Sequence, residues 1–182
     1  MYAEQLKAST RQCHDSVEQQ FTRRLFSPKL TADDYASQLT TIRNIYALFC
    51  DFDFSAQLKP FAATIPTRLA LLNKDLSHLP SPNEPQSPAF SANNLTSLDH
   101  RVGGLYVLLG SAIGGKIIAK RLQQHAWVDA DKHLNFFKFE HHDIAREWNS
   151  FKVSLDEHIE VHRADLATVT AGAKMTFGLF AQ

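Results

Sequence analysis

The sequence has only two cysteines, Cys13 and Cys50, among 182 residues. That is too few for a disulfide framework or a zinc ribbon, and it fits a reducing, cytoplasmic setting. Excess charge is also missing: 19 Lys and Arg balance 19 Asp and Glu. With no long basic run to neutralise a phosphate backbone, nucleic acid is excluded as an expected partner. The longest uncharged apolar stretch, Val102 to Gly115, has 14 residues, short of the roughly 18 that suggest a membrane span. No membrane association is expected. The opening residues lack the basic-then-apolar pattern of a secretory leader, with charge arriving at Glu4. Strand-type alternation is nearly absent, no internal repeat occurs, and no Glu-x-x-His appears anywhere, which removes the paired motif of a carboxylate di-iron bundle.

What remains is a chain of helical patterns, and the expected fold is all-α, a single-domain helical bundle over residues 1–182. Leu6, Cys13, Val17, Phe21 and Leu25 recur on one side of a first helix over residues 3–26. Thr31 is placed to cap a second helix that runs through Tyr35, Leu39, Ile42, Ile45, Tyr46 and Phe49. A third helix carries Leu69, Leu72, Leu76 and Leu79 and stops before Pro80. Residues 80–91 hold four prolines and three serines, the composition of a loop. A long helix is expected from about Thr96 to Gln124, interrupted by glycines. A short one follows, capped by Asp129 and reaching Phe136 or Phe137. The last helix is expected from about Asp143 to Thr170, with Ala171 to Phe180 after it.

Two stretches carry chemistry. On the first helix, Lys7, Arg11, His14 and Glu18 fall in a narrow stripe beside the apolar face. A neutral imidazole is a good axial ligand for haem iron, and Glu18, one turn on, is placed to hold the other ring nitrogen. Lys7 and Arg11 suit anionic groups at a ligand's edge, such as porphyrin propionates. The same spacing also describes ordinary solvated neighbours worth a few tenths of a kcal/mol, about 0.2–0.5 per pair. Cys13 beside His14 does not make a nucleophile and base, because adjacent helical residues point about 100° apart.

The second stretch is Gly103 to Gly115, which holds five of the seven glycines. Each glycine inside a helix costs about 1 kcal/mol relative to alanine, so the cluster needs a reason. Gly110 and Gly114 at i and i+4, with Gly115, leave a bare face where a flat ligand can lie. They also permit a kink that turns carbonyls and the Ser111 hydroxyl into a pocket. Close helix packing is an equally good reason for Gly-x-x-x-Gly. Elsewhere, His158 and His162 share a helix face, and His141 stands next to His142. Neither pair has a third or fourth ligand in view, so both read as structural.

Together the segments Leu6-Lys-Ala-Ser-Thr-Arg-Gln-Cys-His-Asp-Ser-Val-Glu18 and Tyr106-Val-Leu-Leu-Gly-Ser-Ala-Ile-Gly-Gly115 resemble the proximal and distal helices of the biliverdin-forming haem oxygenases, particularly the bacterial, phytochrome-associated branch. Arg68 through Asp75-Leu76, Phe136-Phe137 and Trp148-x-x-Phe151 follow in the family's order. The resemblance implies haem between a proximal first helix and a glycine-kinked distal helix, with His14 on the iron and Glu18 behind it. It places Lys7 and Tyr106 at the propionates, while Arg11 joins them by its position on the stripe. Gly110, Ser111, Gly114 and Gly115 become the distal wall. The implied reaction opens haem to biliverdin, carbon monoxide and ferrous iron, using dioxygen and electrons from a reductase or ferredoxin. A bilin acceptor such as a phytochrome is an implied partner. The alternative is a haem carrier or sensor of the same fold without turnover. Two departures bear on that choice: Ser111 stands where mammalian members carry aspartate, and Leu109 where the bacterial branch commonly has an acid. Arg146 and Lys152 are candidates for a C-terminal cationic contact.

Overall fold

The computed structural model describes residues 1–81, 95–140 and 143–181, and these are helical without a strand. The expected proline-rich loop, from residue 82 on, and His141 and His142 lie outside the described residues. Helix α1 spans Tyr2–Leu25 and buries Ala3, Leu6, Thr10 and Leu25. Helix α2, Ala32–Cys50, begins at a complete capping box: Thr31 Oγ1 accepts from the Asp34 amide, and the Asp34 carboxylate accepts from the Thr31 amide. The Thr31 hydroxyl also donates to that carboxylate at 2.7 Å, and this bond, with the one from the Thr31 amide, holds the Asp34 carboxyl below its ordinary pKa.

The expected third helix is α4, Thr64–Leu76, which ends before Leu79, and a short α3, Lys59–Ala62, forms in the entry to it. Pro66 sits in the first turn of α4, where its missing amide interrupts no hydrogen bond. The glycine-bearing segment comprises α5 over Leu98–Ser111, a 3₁₀ turn over Ala112–Gly114 and α6 over Gly115–Leu122. Its start is two residues later than expected because Ser97 caps it, accepting from the His100 amide. The whole stretch Leu98–Leu122 is long and apolar enough to cross a membrane by length and composition, with half of its most apolar window buried. Packing of α5 on α10 accounts for that character.

Asp129 does cap α7, Ala130–His133, but the helix stops there and α8, Asn135–Lys138, starts afresh. Asp75 explains the restart. It is buried, and its carboxylate accepts from the Asn135 and Phe136 amides and the Asn135 side chain at 2.7–3.0 Å. Burial nevertheless pushes its pKa up. The expected unbroken helix to Thr170 is also corrected. Helix α9, Ile144–His162, ends where Arg163 turns left-handed at φ 51°. Asp165 then caps α10, Leu166–Phe180.

The core centres on the crossing of α5 and α10. There the backbones approach so closely that a Cβ on Gly103 would collide with the Val169 carbonyl, and one on Gly172 with the His100 carbonyl. Gly104 is closed off by the Phe49 ring and the Thr176 hydroxyl. Helix α1 packs chiefly on α10 and α9.

Candidate functional site

On α1 the four stripe residues Lys7, Arg11, His14 and Glu18 are all exposed. His14 Nδ1 lies 3.4 Å from Asp15 Oδ1 and 3.8 Å from Glu18 Oε2. Arg11 Nε stands 3.8 Å from Asp15 Oδ2. Asp15 is a partner that the helical spacing did not single out. It reaches His14 along the helix surface despite being its chain neighbour. Both carboxylates face the same nitrogen, which favours the tautomer with a proton on Nδ1 and leaves Nε2 to bind a ligand. The three side chains hold their ligand atoms within 4.8 Å of one another. Behind them the ring of Phe177, from α10, meets His14 edge-on at 6.0 Å.

Tyr106 is buried on α5, with Thr10, which lies between Lys7 and His14 on α1, beside its phenol. Burial pushes its phenol pKa up, so it stays protonated. Gly110 is one turn further along α5, and His14 one turn further along α1. Trp148 of α9 stands beside this part of α5, its ring 5.2 Å from that of Tyr106. A Cβ on Gly110 would meet Trp148 Cη2 at 3.3 Å, whereas one on Gly114 would find nothing within 4 Å. Gly115 differs: its bare Cα faces backbone, and a Cβ would meet the Phe137 carbonyl oxygen at 2.5 Å. The expectation of ligand space at all three glycines therefore narrows to Gly110 and Gly114, since Gly115 has a packing reason.

The change from α to 3₁₀ winding has a local consequence. The Ala112 amide, which would bond Leu108 in an unbroken α-helix, turns to Leu109 and Gly110 instead. The Leu108 carbonyl is claimed by two hydroxyls, Ser111 Oγ at 2.8 Å and the buried Tyr46 phenol at 3.2 Å. Arg68 Nε in turn donates to the Tyr46 oxygen at 3.1 Å. Arg68 is only 4% exposed, and its guanidinium lies over the rings of Phe136 and Phe139 at 4.6 and 4.7 Å. Sequence order placed Arg68 in the family pattern, but only the fold shows it bracing the end of α5. It also lines a cavity of 180 Å³ with Phe61, Leu109, Ala112, Trp148 and Phe151. His14 is not among that cavity's lining residues, and the volume is below the roughly 300–1,000 Å³ of ordinary ligand clefts.

The remaining candidates take no part in this arrangement. His158 is fully buried, with Nδ1 2.8 Å from Ser55 Oγ and its ring 4.7 Å from that of His162. Burial lowers its pKa, and its Nε2 has no hydrogen-bond partner. Cys13 and Cys50 are free thiols. Arg146 is exposed and Lys152 half-buried.

In comparison with known families, the Heme oxygenase family model matches residues 1–182, the whole chain. No curated protein matches the chain.

Proposed function

Because the chain belongs to the haem oxygenase family, we propose that it opens haem oxidatively to biliverdin, carbon monoxide and ferrous iron, drawing electrons from a separate reductase or ferredoxin. The observation that carries this reading is the state of His14: two carboxylates engage Nδ1, and Nε2 is left for iron. Gly114 supports it from the other helix, since a bare backbone with nothing beyond it suits close approach by a flat ring. Bound haem supplies the iron at which dioxygen is activated, and it is also the ring that is consumed. Glu18 and Asp15 keep the Nδ1 proton in place and make Nε2 a stronger donor. Lys7, Arg11 and Tyr106 border the α1 face on which anionic propionates would lie. Gly110, Ser111, Gly114 and Gly115 form the opposite wall, with Gly115 setting its backbone against α8 rather than touching the ligand. Because the Ser111 proton is committed to Leu108, its oxygen can only accept. Protons for the reaction then come from ordered water that Ser111 helps to hold. Trp148 shares the space off Gly110, so haem entry moves its ring. A cytoplasmic enzyme of the bacterial, phytochrome-associated branch, passing its product to a bilin acceptor such as a phytochrome, fits this assignment.

That committed hydroxyl favours a second reading: a haem carrier or sensor that binds through His14 without turning over. One titration separates them. Added haem should give a Soret band and quench Trp148 fluorescence, and His14→Ala should abolish the band. Ascorbate in air should then replace the band with biliverdin absorbance. A Soret band unchanged through that step selects the carrier, and no band at all overturns both.

A further inference from the structure

We propose that His14, Asp15 and Glu18 form a chelating site for a divalent first-row metal ion in the haem-free protein, and that an ion held there blocks haem from His14. The competition rests on the reading of His14 as the iron ligand; the metal site does not. All three side chains are exposed within little more than one turn of α1, so a hydrated ion reaches them without opening the fold. His14 Nδ1 stands 3.4 Å from Asp15 Oδ1 and 3.8 Å from Glu18 Oε2, and the three ligand atoms all lie within 4.8 Å of one another. Two ligands bound at about 2.1 Å on a tetrahedral ion are about 3.4 Å apart. The set therefore stands near chelating distance before any ion arrives, and a small rotation of the exposed Glu18 side chain closes the rest.

The surroundings favour this use. Arg11 engages Asp15 through Oδ2 at 3.8 Å, which leaves Oδ1 turned to His14. With Arg11 offsetting Asp15, Glu18 leaves the cluster negative while the imidazole is neutral. The Phe177 ring meets the imidazole edge-on at 6.0 Å and restricts its plane. One imidazole with two carboxylates suits zinc, ferrous iron or manganese, whereas calcium and magnesium prefer oxygen ligands alone.

The consequence for haem follows from proton counting. A neutral imidazole carries one N–H and one lone pair. With the proton on Nδ1, facing the carboxylates, the lone pair at Nε2 is ready for haem iron. An ion bound at Nδ1 takes the lone pair there, and the proton passes through water to Nε2, which then has none to give. On a neutral ring the two ligations exclude each other. Ferrous iron, which the proposed reaction releases, belongs to the class that the site selects, so product iron kept at Nδ1 holds off the next haem until it leaves.

Zinc is the probe, because it has no redox chemistry of its own. Calorimetric titration of zinc into the haem-free protein should show binding that Asp15→Asn/Glu18→Gln weakens about tenfold or more, and calcium should show none. With zinc at about ten times its own dissociation constant, haem affinity read from the Soret band should fall about tenfold. Haem at the corresponding excess should weaken zinc binding likewise, since the coupling is reciprocal. In Asp15→Asn/Glu18→Gln, which keeps His14, the same zinc concentration should leave haem affinity where it is without the metal. Nitrogen-resolved NMR of the haem-free protein should show the His14 proton move from Nδ1 to Nε2 as zinc is added. Equal zinc binding by the variant overturns the metal site. An equal loss of haem affinity in the variant and the unmodified protein places the effect at another residue and overturns the proposal too. Haem affinity unchanged with zinc bound overturns the competition. If the unmodified protein gives no haem spectrum, the functional reading fails and takes the competition with it, while the calorimetry still decides the metal site.

Discussion

At Gly103 and Gly104 the space a side chain would take is filled by neighbouring atoms, and at Gly114, nearly three turns on, it is empty. The same residue type in one continuous stretch thus answers two different demands. At the first two sites the neighbour is the chain itself: the Val169 carbonyl of α10 meets Gly103, and the Phe49 ring meets Gly104. Gly172 repeats the demand from the α10 side, against the His100 carbonyl. These glycines let two helix backbones touch, which fixes α10 and, through Phe177, the floor under His14. Gly114 serves no such contact. Gly178 is open in the same way, so it is the proposed haem site, and not open space alone, that gives Gly114 a use for the cost of about 1 kcal/mol that a helical glycine carries.

Alanine substitution turns the comparison into a measurement. The largest effect belongs to the crossing. In Gly103→Ala or Gly172→Ala the new methyl meets backbone oxygen, and relief requires the two helices to separate. Each should lose about 3 kcal/mol or more of unfolding free energy in a denaturant titration, with haem binding lost only as the fold is lost. A loss within the scatter of ordinary surface substitutions would mean that the crossing is looser than its geometry says.

Gly115→Ala lies between the extremes. Its methyl also meets a backbone oxygen, that of Phe137 at 2.5 Å, but Phe137 belongs to a helix of four residues that can yield more easily than α10. A destabilisation of about 1–2 kcal/mol is expected. The ratio of haem binding to folded protein should stay unchanged, which separates a packing glycine from one that touches the ligand.

This division was only partly legible in the residues. Helix existence was readable wherever the signal was local: the apolar stripe of α1, the Thr31 cap, and the pause imposed by the glycines. Breaks set by distant partners were not. Asp75 restarts the chain at Asn135 from sixty residues away, and no periodicity announces that. Arg163 adopts a left-handed backbone that favours glycine or asparagine, so nothing in its type marks the end of α9. The same holds for the site. His14 and Glu18 were found by spacing, because a helix converts spacing into proximity. Asp15 escaped, since neighbours in sequence ordinarily diverge. The brace formed by Arg68, Tyr46 and Leu108 joins three helices and exists only once they pack. Gly110, Gly114 and Gly115 looked equivalent because what separates them is the identity of the facing atoms: an indole, nothing, and a carbonyl.

Gly114→Ala is the smallest change in stability and the most informative. The residue has a right-handed helical backbone, φ −78° and ψ −11°, which alanine adopts without strain, and no atom stands in the way of its methyl. Restricting the unfolded chain should therefore stabilise the protein by about 0.4–1 kcal/mol, opposite in sign to the result at Gly103. Haem affinity should move the other way, weakening about tenfold, or about 1.4 kcal/mol, because the methyl occupies the space through which the ring approaches the backbone. A spectroscopic titration of haem into the variant, set beside its denaturation midpoint, reads both numbers. If stability rises and affinity does not fall, Gly114 is open for a reason other than haem, and the distal wall contracts to Gly110 and Ser111. If both fall together, the site is a packing contact after all, and the two sets of glycines merge into one.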